Sequence, residues 1–209
     1  TSVALSTLLF KLEQLQTQGV LAGLLDLQNI ILGGHSAGGR IAIENANPEL
    51  FPQVVASFGY GVHSMGYIMQ GYPPATVLPL PDKLPLLLLA GTNDGVIASN
   101  SEMYGIEGGD AIAPVMRTWN EAIIGGRNDS YVVLLEGANH FAIVHPLDST
   151  TARNSIDFPQ TQSDESIRWL IAETIGSFIG AYVQKQTSAF ESLQQHLHDN
   201  SLVNSWYCK

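Results

Sequence analysis

The amino-acid sequence predicts an α/β domain: a mostly parallel sheet of about four strands flanked by helices. Three observations lead there. Short runs at 54–58, 84–90 and 131–135 are largely apolar on both faces, as buried parallel strands are, and the strand expected at 27–32 closes on the apolar Ile30-Ile31-Leu32. Long segments rather than two-residue turns separate them. Between several of them apolar residues recur every three or four positions, the period of a helix packed on one face. With 209 residues, 45% hydrophobic and 13% charged, the chain carries enough apolar material for one sizeable core.

Element by element, Leu5, Leu8, Leu9, Leu12 and Leu15 form one helical face at the start. The run 27–32 is a strand that ends in Gly33-Gly34, and 40–46 reads as the start of a helix stopped near Pro48. Strands at 54–58 and 84–90 follow, then a helix over 114–124 and a strand over 131–135. The strongest helix spans 164–183, with Ile167, Leu170, Ile171, Ile175, Phe178 and Ile179 on one side and acidic residues in its first turn. Residues 1–185 are thus expected to form the domain, and 186–209 a tail, either a polar helix or a loosely held end.

Residues 59–81 break the pattern. Glycines and prolines alternate there with Tyr60, Met65, Tyr67, Met69 and Tyr72, with little periodicity. Long loops are uncommon in a compact domain unless they line a site, so Tyr60, Met65, Tyr67 and Met69 are candidate substrate-binding residues. Such side chains also fill irregular gaps over a sheet edge, which is the competing reading.

Charge and cysteine usage narrow the function. A net charge of −10 with nine scattered basic residues excludes a nucleic-acid surface. Cys208 is the only cysteine, so no internal disulfide forms and Cys/His zinc clusters are absent. No apolar run reaches the eighteen or so residues of a membrane span. Because the first residue is Thr, a secretion signal cannot be judged and localisation stays open.

The chemistry concentrates in three segments. Gly34-His35-Ser36-Ala37-Gly38 matches G-x-S-x-G, the sharp turn that lifts a serine hydroxyl above a strand end; it sits directly after Ile30-Ile31-Leu32 and before a helix. A serine needs a base, usually His, held in the correct tautomer by a carboxylate. Asp94, in Gly-Thr-Asn-Asp-Gly-Val-Ile just past the strand 84–90, is the candidate acid; a helix-capping Asp is its alternative reading. Asp110 and Asp129 lie far from a strand end. His140, in Gly-Ala-Asn-His-Phe after the strand 131–135, is the candidate base, with His145 its one serious rival. His35 is inside the turn, His63 in the long loop, and His196 and His198 in the tail. Ser, acid, His is the chain order of one hydrolase architecture.

These three motifs resemble the α/β-hydrolase superfamily, and look like its chlorophyllase, dienelactone-hydrolase and acetylhydrolase-like branches. The resemblance runs to about Val183 and is far more specific for the superfamily than for a branch. It implies a serine hydrolase that cleaves a carboxylic ester through an acyl-enzyme on Ser36, with His140 as general base and acid and Asp94 orienting it. The backbone N–H of Ala37, after the nucleophile, is the expected oxyanion-hole donor. No metal, nucleotide or flavin is implied, and the expected partner is a small-molecule ester, an apolar one given the Tyr- and Met-rich loop. Acyl transfer uses the same residues, and a non-catalytic hydrolase-like binding module is the reading from another class.

In the superfamily about eight strands form the sheet and the nucleophile turn follows the fifth, whereas one helix precedes Ser36 here. The resemblance therefore implies a truncated fold, the carboxy-terminal part of a domain whose amino-terminal half is a missing partner. The loop that supplies the second oxyanion amide would be missing with it; no His-Gly-Gly pattern precedes Ser36. On that reading the strand 27–32 lies at a sheet edge, with Ile30 and Leu32 partly exposed, and the chain alone aggregates or works slowly.

Overall fold

A computed structural model describes residues 2–148, 150 and 155–209. The chain runs α1 (Ser2–Thr17), β1 (Ile30–His35), α2 (Ser36–Glu44), β2 (Val54–Tyr60), β3 (Leu86–Gly91), α3 (Gly95–Asn100), α4 (Ala113–Ala122), β4 (Ser130–Leu135), α5 (Asp164–Tyr182), α6 (Thr187–Asp199) and β5 (Val203–Cys208). The five strands form one sheet in sequential order, β1 to β4 parallel and β5 antiparallel to β4. This is an α/β fold with a mostly parallel sheet flanked by helices.

Side chains alternate across a strand, and here both faces are covered. Leu87, Leu89, Tyr131, Val133 and Leu135 point into one layer, against Ile167, Leu170, Ile171 and Phe178 of α5 and Leu193 and Leu197 of α6. Leu86, Leu88, Ala90, Val132 and Leu134 point into the other, against Ile43 of α2 and Val115, Trp119 and Ala122 of α4. All residues of β3 and β4 are buried, which is why those segments are apolar without alternation. A third cluster joins Leu5 and Leu9 of α1 to Phe51 and Val54, with Ile30 and Leu32 packed against it.

β1 occupies the edge of the sheet, paired only with β2. Its Ile30, Ile31 and Leu32 are half-buried. The strand begins three residues later than the expected start at Leu27, past the polar Gln28 and Asn29, and continues through both glycines to His35.

Residues 186–209, expected as a tail of uncertain structure, supply a helix and the fifth strand. β5 pairs along β4 from Tyr131–Cys208 to Leu135–Val203, and Lys209 exchanges backbone hydrogen bonds with Ser130. The Lys209 ammonium donates to the Trp119 and Ile123 carbonyls at the end of α4 (2.9 and 3.1 Å) and lies over the Trp119 ring. A cation is favourable there because the last carbonyls of a helix carry partial negative charge. Sequence alone hid β5 because Val203-Asn204-Ser205-Trp206-Tyr207-Cys208 is too polar to resemble an interior strand. Among the described residues no helix is long and apolar enough to cross a membrane.

Candidate functional site

Four parallel strands end at one edge of the sheet, and each hands a polar residue to that edge: Ser36 directly after β1, His63 three residues after β2, Asp94 three after β3 and His140 five after β4. Functional groups of open parallel sheets gather at this carboxyl edge.

Ser36 opens α2 with φ +54°, in the left-handed region that a non-glycine residue seldom adopts. The turn around it leaves no room for a side chain at Gly34 or Gly39. A Cβ on Gly34 would lie 2.6 Å from the backbone of Gly38 and Gly39, and one on Gly39 would meet the Gly34 carbonyl oxygen at 2.6 Å. Glycine at these positions lets strand and helix cross closely enough to project Ser36 from the bend. Ala37 falls in the first turn of α2, where backbone N–H groups lack intrahelical acceptors.

Asp94 uses both carboxyl oxygens. Oδ1 accepts from the Ile97 N–H at 2.8 Å, capping α3, while Oδ2 contacts His140 Nδ1 at 2.8 Å. Capping and pairing with His140 thus coexist in one side chain. Both residues are 1% exposed, so the contact is shielded from water. With Nδ1–H donating to the carboxylate, the neutral ring keeps its lone pair on Nε2. No partner holds Nε2 among the described residues, and it is not a sealed, unsatisfied atom; it opens on the cavity that His140 lines. Among the described residues no hydrogen bond joins Ser36 to His140, although both line that cavity. His145 takes no part in its wall.

The loop carrying His140 is fastened from several directions. His35 Nε2–H donates to the His140 carbonyl at 2.8 Å, and the two rings lie 4.6 Å apart. Burial, and next the neighbouring His140, push the His35 pKa below its ordinary value. Tyr60 donates its hydroxyl to the Asn139 carbonyl. Asp157 accepts from the backbone N–H groups of Gly95 (2.8 Å), His140 (3.3 Å) and Phe141 (3.3 Å), bridging the Asp94 and His140 loops; burial pushes its carboxyl pKa up, and the N–H donors oppose this.

The cavity holds about 610 Å³. Ser36, Ala37 and His140 line it together with Val62, Val96 and Ile97 as apolar wall, and Tyr67 and Tyr104 as aromatic wall. Arg40 and Glu44 add an ion pair at 2.7 Å. His63 completes the wall.

Of the four loop residues expected to bind substrate, Tyr67 alone lines the cavity. Tyr60 is the last residue of β2, fully buried, with its ring in the core below the site. Met65 is likewise at 0% exposure, its segment pinned by an isolated bridge to Val77 and by Arg40 donating to its carbonyl. Met69 is 93% exposed and lies off the cavity. Loop composition does not tell which side chains turn inward. His63 and Tyr104 were missed, although the position of His63 just past a strand end was a usable signal. Asp157 carried none: it lies in an aperiodic stretch far in sequence from the groups it binds.

Among the described residues no cluster of three or more His, Cys, Asp or Glu side chains could hold a metal ion. Comparison with models of known protein families finds no match, and comparison with curated proteins finds no relative.

Proposed function

We propose that the protein is a serine ester hydrolase in which Ser36 is the nucleophile, His140 the general base and acid, and Asp94 the orienting carboxylate. The observation that carries this reading is the buried 2.8 Å contact between Asp94 and His140 Nδ1, which leaves Nε2 free on the cavity that Ser36 lines. The left-handed backbone of Ser36 adds weight, since strained residues persist where the surrounding structure holds them for a task.

In this mechanism Ser36 Oγ attacks the ester carbonyl carbon as its proton passes to His140 Nε2. Negative charge on the carbonyl oxygen is met by the Ala37 N–H, and Asp94 stabilises the imidazolium. Collapse breaks the bond to the alcohol, which leaves with the proton from His140. Water then repeats the sequence on the acyl-enzyme, releasing the acid and restoring Ser36. An unbonded Ser36 and His140 are compatible with this chemistry, because such contacts tighten when substrate arrives. The apolar and aromatic wall favours an apolar ester.

The test is to treat the protein with a fluorophosphonate probe and map the modified residue, with hydrolysis of short p-nitrophenyl esters followed in parallel. Label is expected on Ser36, and Ser36→Ala should abolish both labelling and hydrolysis. Modification of another residue, or full hydrolysis by Ser36→Ala, would overturn the proposal.

A further inference from the structure

His63 belongs to the cavity wall but has no role in the mechanism above. Its ring is buried, 5% exposed, and fixed on both sides. The Met65 backbone N–H donates to His63 Nδ1 at 3.2 Å. The Tyr104 ring packs edge-on against it at 4.3 Å between centroids, and Tyr67 packs on Tyr104 at 4.7 Å.

The Met65 contact settles the tautomer. A backbone N–H only donates, so Nδ1 must accept and carries no proton; the ring is therefore neutral, with its one hydrogen on Nε2. The surroundings agree: burial, followed by the nearby charges of Arg40 and His140, pushes the His63 pKa down to about 3. His63 thus presents a fixed N–H donor with no acceptor among the described residues. Nε2 is not sealed in the core either, because the one buried side-chain polar atom without a partner among the described residues is Thr174 Oγ1. In a ring held at Nδ1 and packed edge-on by Tyr104, the remaining polar edge opens on the cavity. An apolar ring would fill the same space without desolvating an N–H group, so packing alone does not account for a histidine here.

We propose that His63 is a specificity-determining residue whose Nε2–H donates to a second acceptor oxygen of the ester substrate, an ether or carbonyl oxygen beyond the scissile group. The inference rests on the ester-hydrolase reading of Ser36. It gives the substrate a defined chemistry: an apolar body for the Val62, Val96 and Ile97 wall, interrupted by one oxygen. A site built to donate one hydrogen bond discriminates against analogues lacking the acceptor, because the donor is then left without its partner.

The test uses esters matched in length with and without the oxygen. On the acyl side these are p-nitrophenyl methoxyacetate and 3-methoxypropionate against the butyrate and pentanoate; on the alcohol side, 2-methoxyethyl acetate against butyl acetate. Each kcat/KM is divided by the rate of hydroxide-catalysed hydrolysis of the same ester to remove intrinsic reactivity. The protein is expected to prefer at least one oxygen-bearing ester about tenfold, and His63→Phe to erase that preference, bringing the corrected kcat/KM values of the two matched esters within about threefold of each other. No preference on either side, or a preference that survives His63→Phe, would overturn the proposal. An independent readout is the ring ¹⁵N spectrum of His63. It should show the Nε2–H tautomer from pH 5 to 8, and its Nε2–H signal should shift when Ser36→Ala protein is saturated with the preferred ester; an Nδ1–H tautomer, an imidazolium or an unmoved signal would refute it. Failure of fluorophosphonate to label Ser36 would sink the hydrolase reading and leave the tautomer result standing, so the two failures are distinguishable.

Discussion

β1 and β3 are both six-residue parallel strands that end at the same edge of the sheet, yet their burial differs completely. Every residue of β3 is buried, between β2 and β4 and under helices on both faces, whereas β1 has one neighbouring strand and no fully buried residue. Nevertheless Ser36 follows the poorly covered strand and Asp94 the well covered one. Strand burial therefore does not secure the site. What does is a set of hydrogen bonds between loops at the carboxyl edge: His35 to the His140 carbonyl across 105 residues, Asp157 to both neighbouring loops, and Tyr60 to Asn139.

The largest effect expected from this contrast is on activity without loss of fold. Asp94→Asn keeps an oxygen for the Ile97 N–H but replaces the acceptor of His140 Nδ1–H, favouring the wrong tautomer. Ester hydrolysis should fall by about 10³- to 10⁴-fold while the thermal midpoint moves little. A mutant that melts far lower and retains its turnover would show Asp94 to be a structural cap alone.

Strand interiors should behave in the opposite way. Leu88→Ala, at a fully buried position in β3, should cost about 2–5 kcal/mol in urea unfolding, and Leu32→Ala in half-buried β1 less than about 1.5 kcal/mol. Equal losses would mean that α1 covers β1 as fully as the two helical layers cover β3.

Acid should probe the edge loops next. In the folded protein His63 titrates at about 3, against an ordinary 6.5. Above pH 6.5 the ring is neutral in both states and contributes nothing. Below it the unfolded chain takes up a proton that the folded one refuses, so stability declines as pH falls from 6.5 towards 3, by up to about 1.4 kcal/mol per pH unit from this group. His63→Phe should flatten that decline, measured as urea midpoints across the range; an unchanged slope would assign the acid sensitivity to other groups.

The smallest effect concerns a single tether. His35→Phe removes the hydrogen bond to the His140 carbonyl but keeps a ring in place, and kcat should drop about tenfold with KM nearly unchanged. A drop as large as that of Asp94→Asn would give His35 a direct role in the reaction.

The sequence by itself determined the fold class, most of the helix and strand positions, and the Ser36, Asp94 and His140 candidates. Each rested on a local signal: apolar runs for β3 and β4, a helical period for α5, a glycine-framed turn at Ser36, and polar residues just past strand ends. Only the tertiary structure decided that Met65 turns into the core and Met69 into solvent, that the polar segment of β5 completes the sheet, and that His35, His63 and Asp157 surround the site. The physical reason is common to all of these. A pattern of residue types fixes which faces of the chain avoid water, while a hydrogen bond between loops 17 or 105 residues apart depends on where packing of the whole sheet brings their ends.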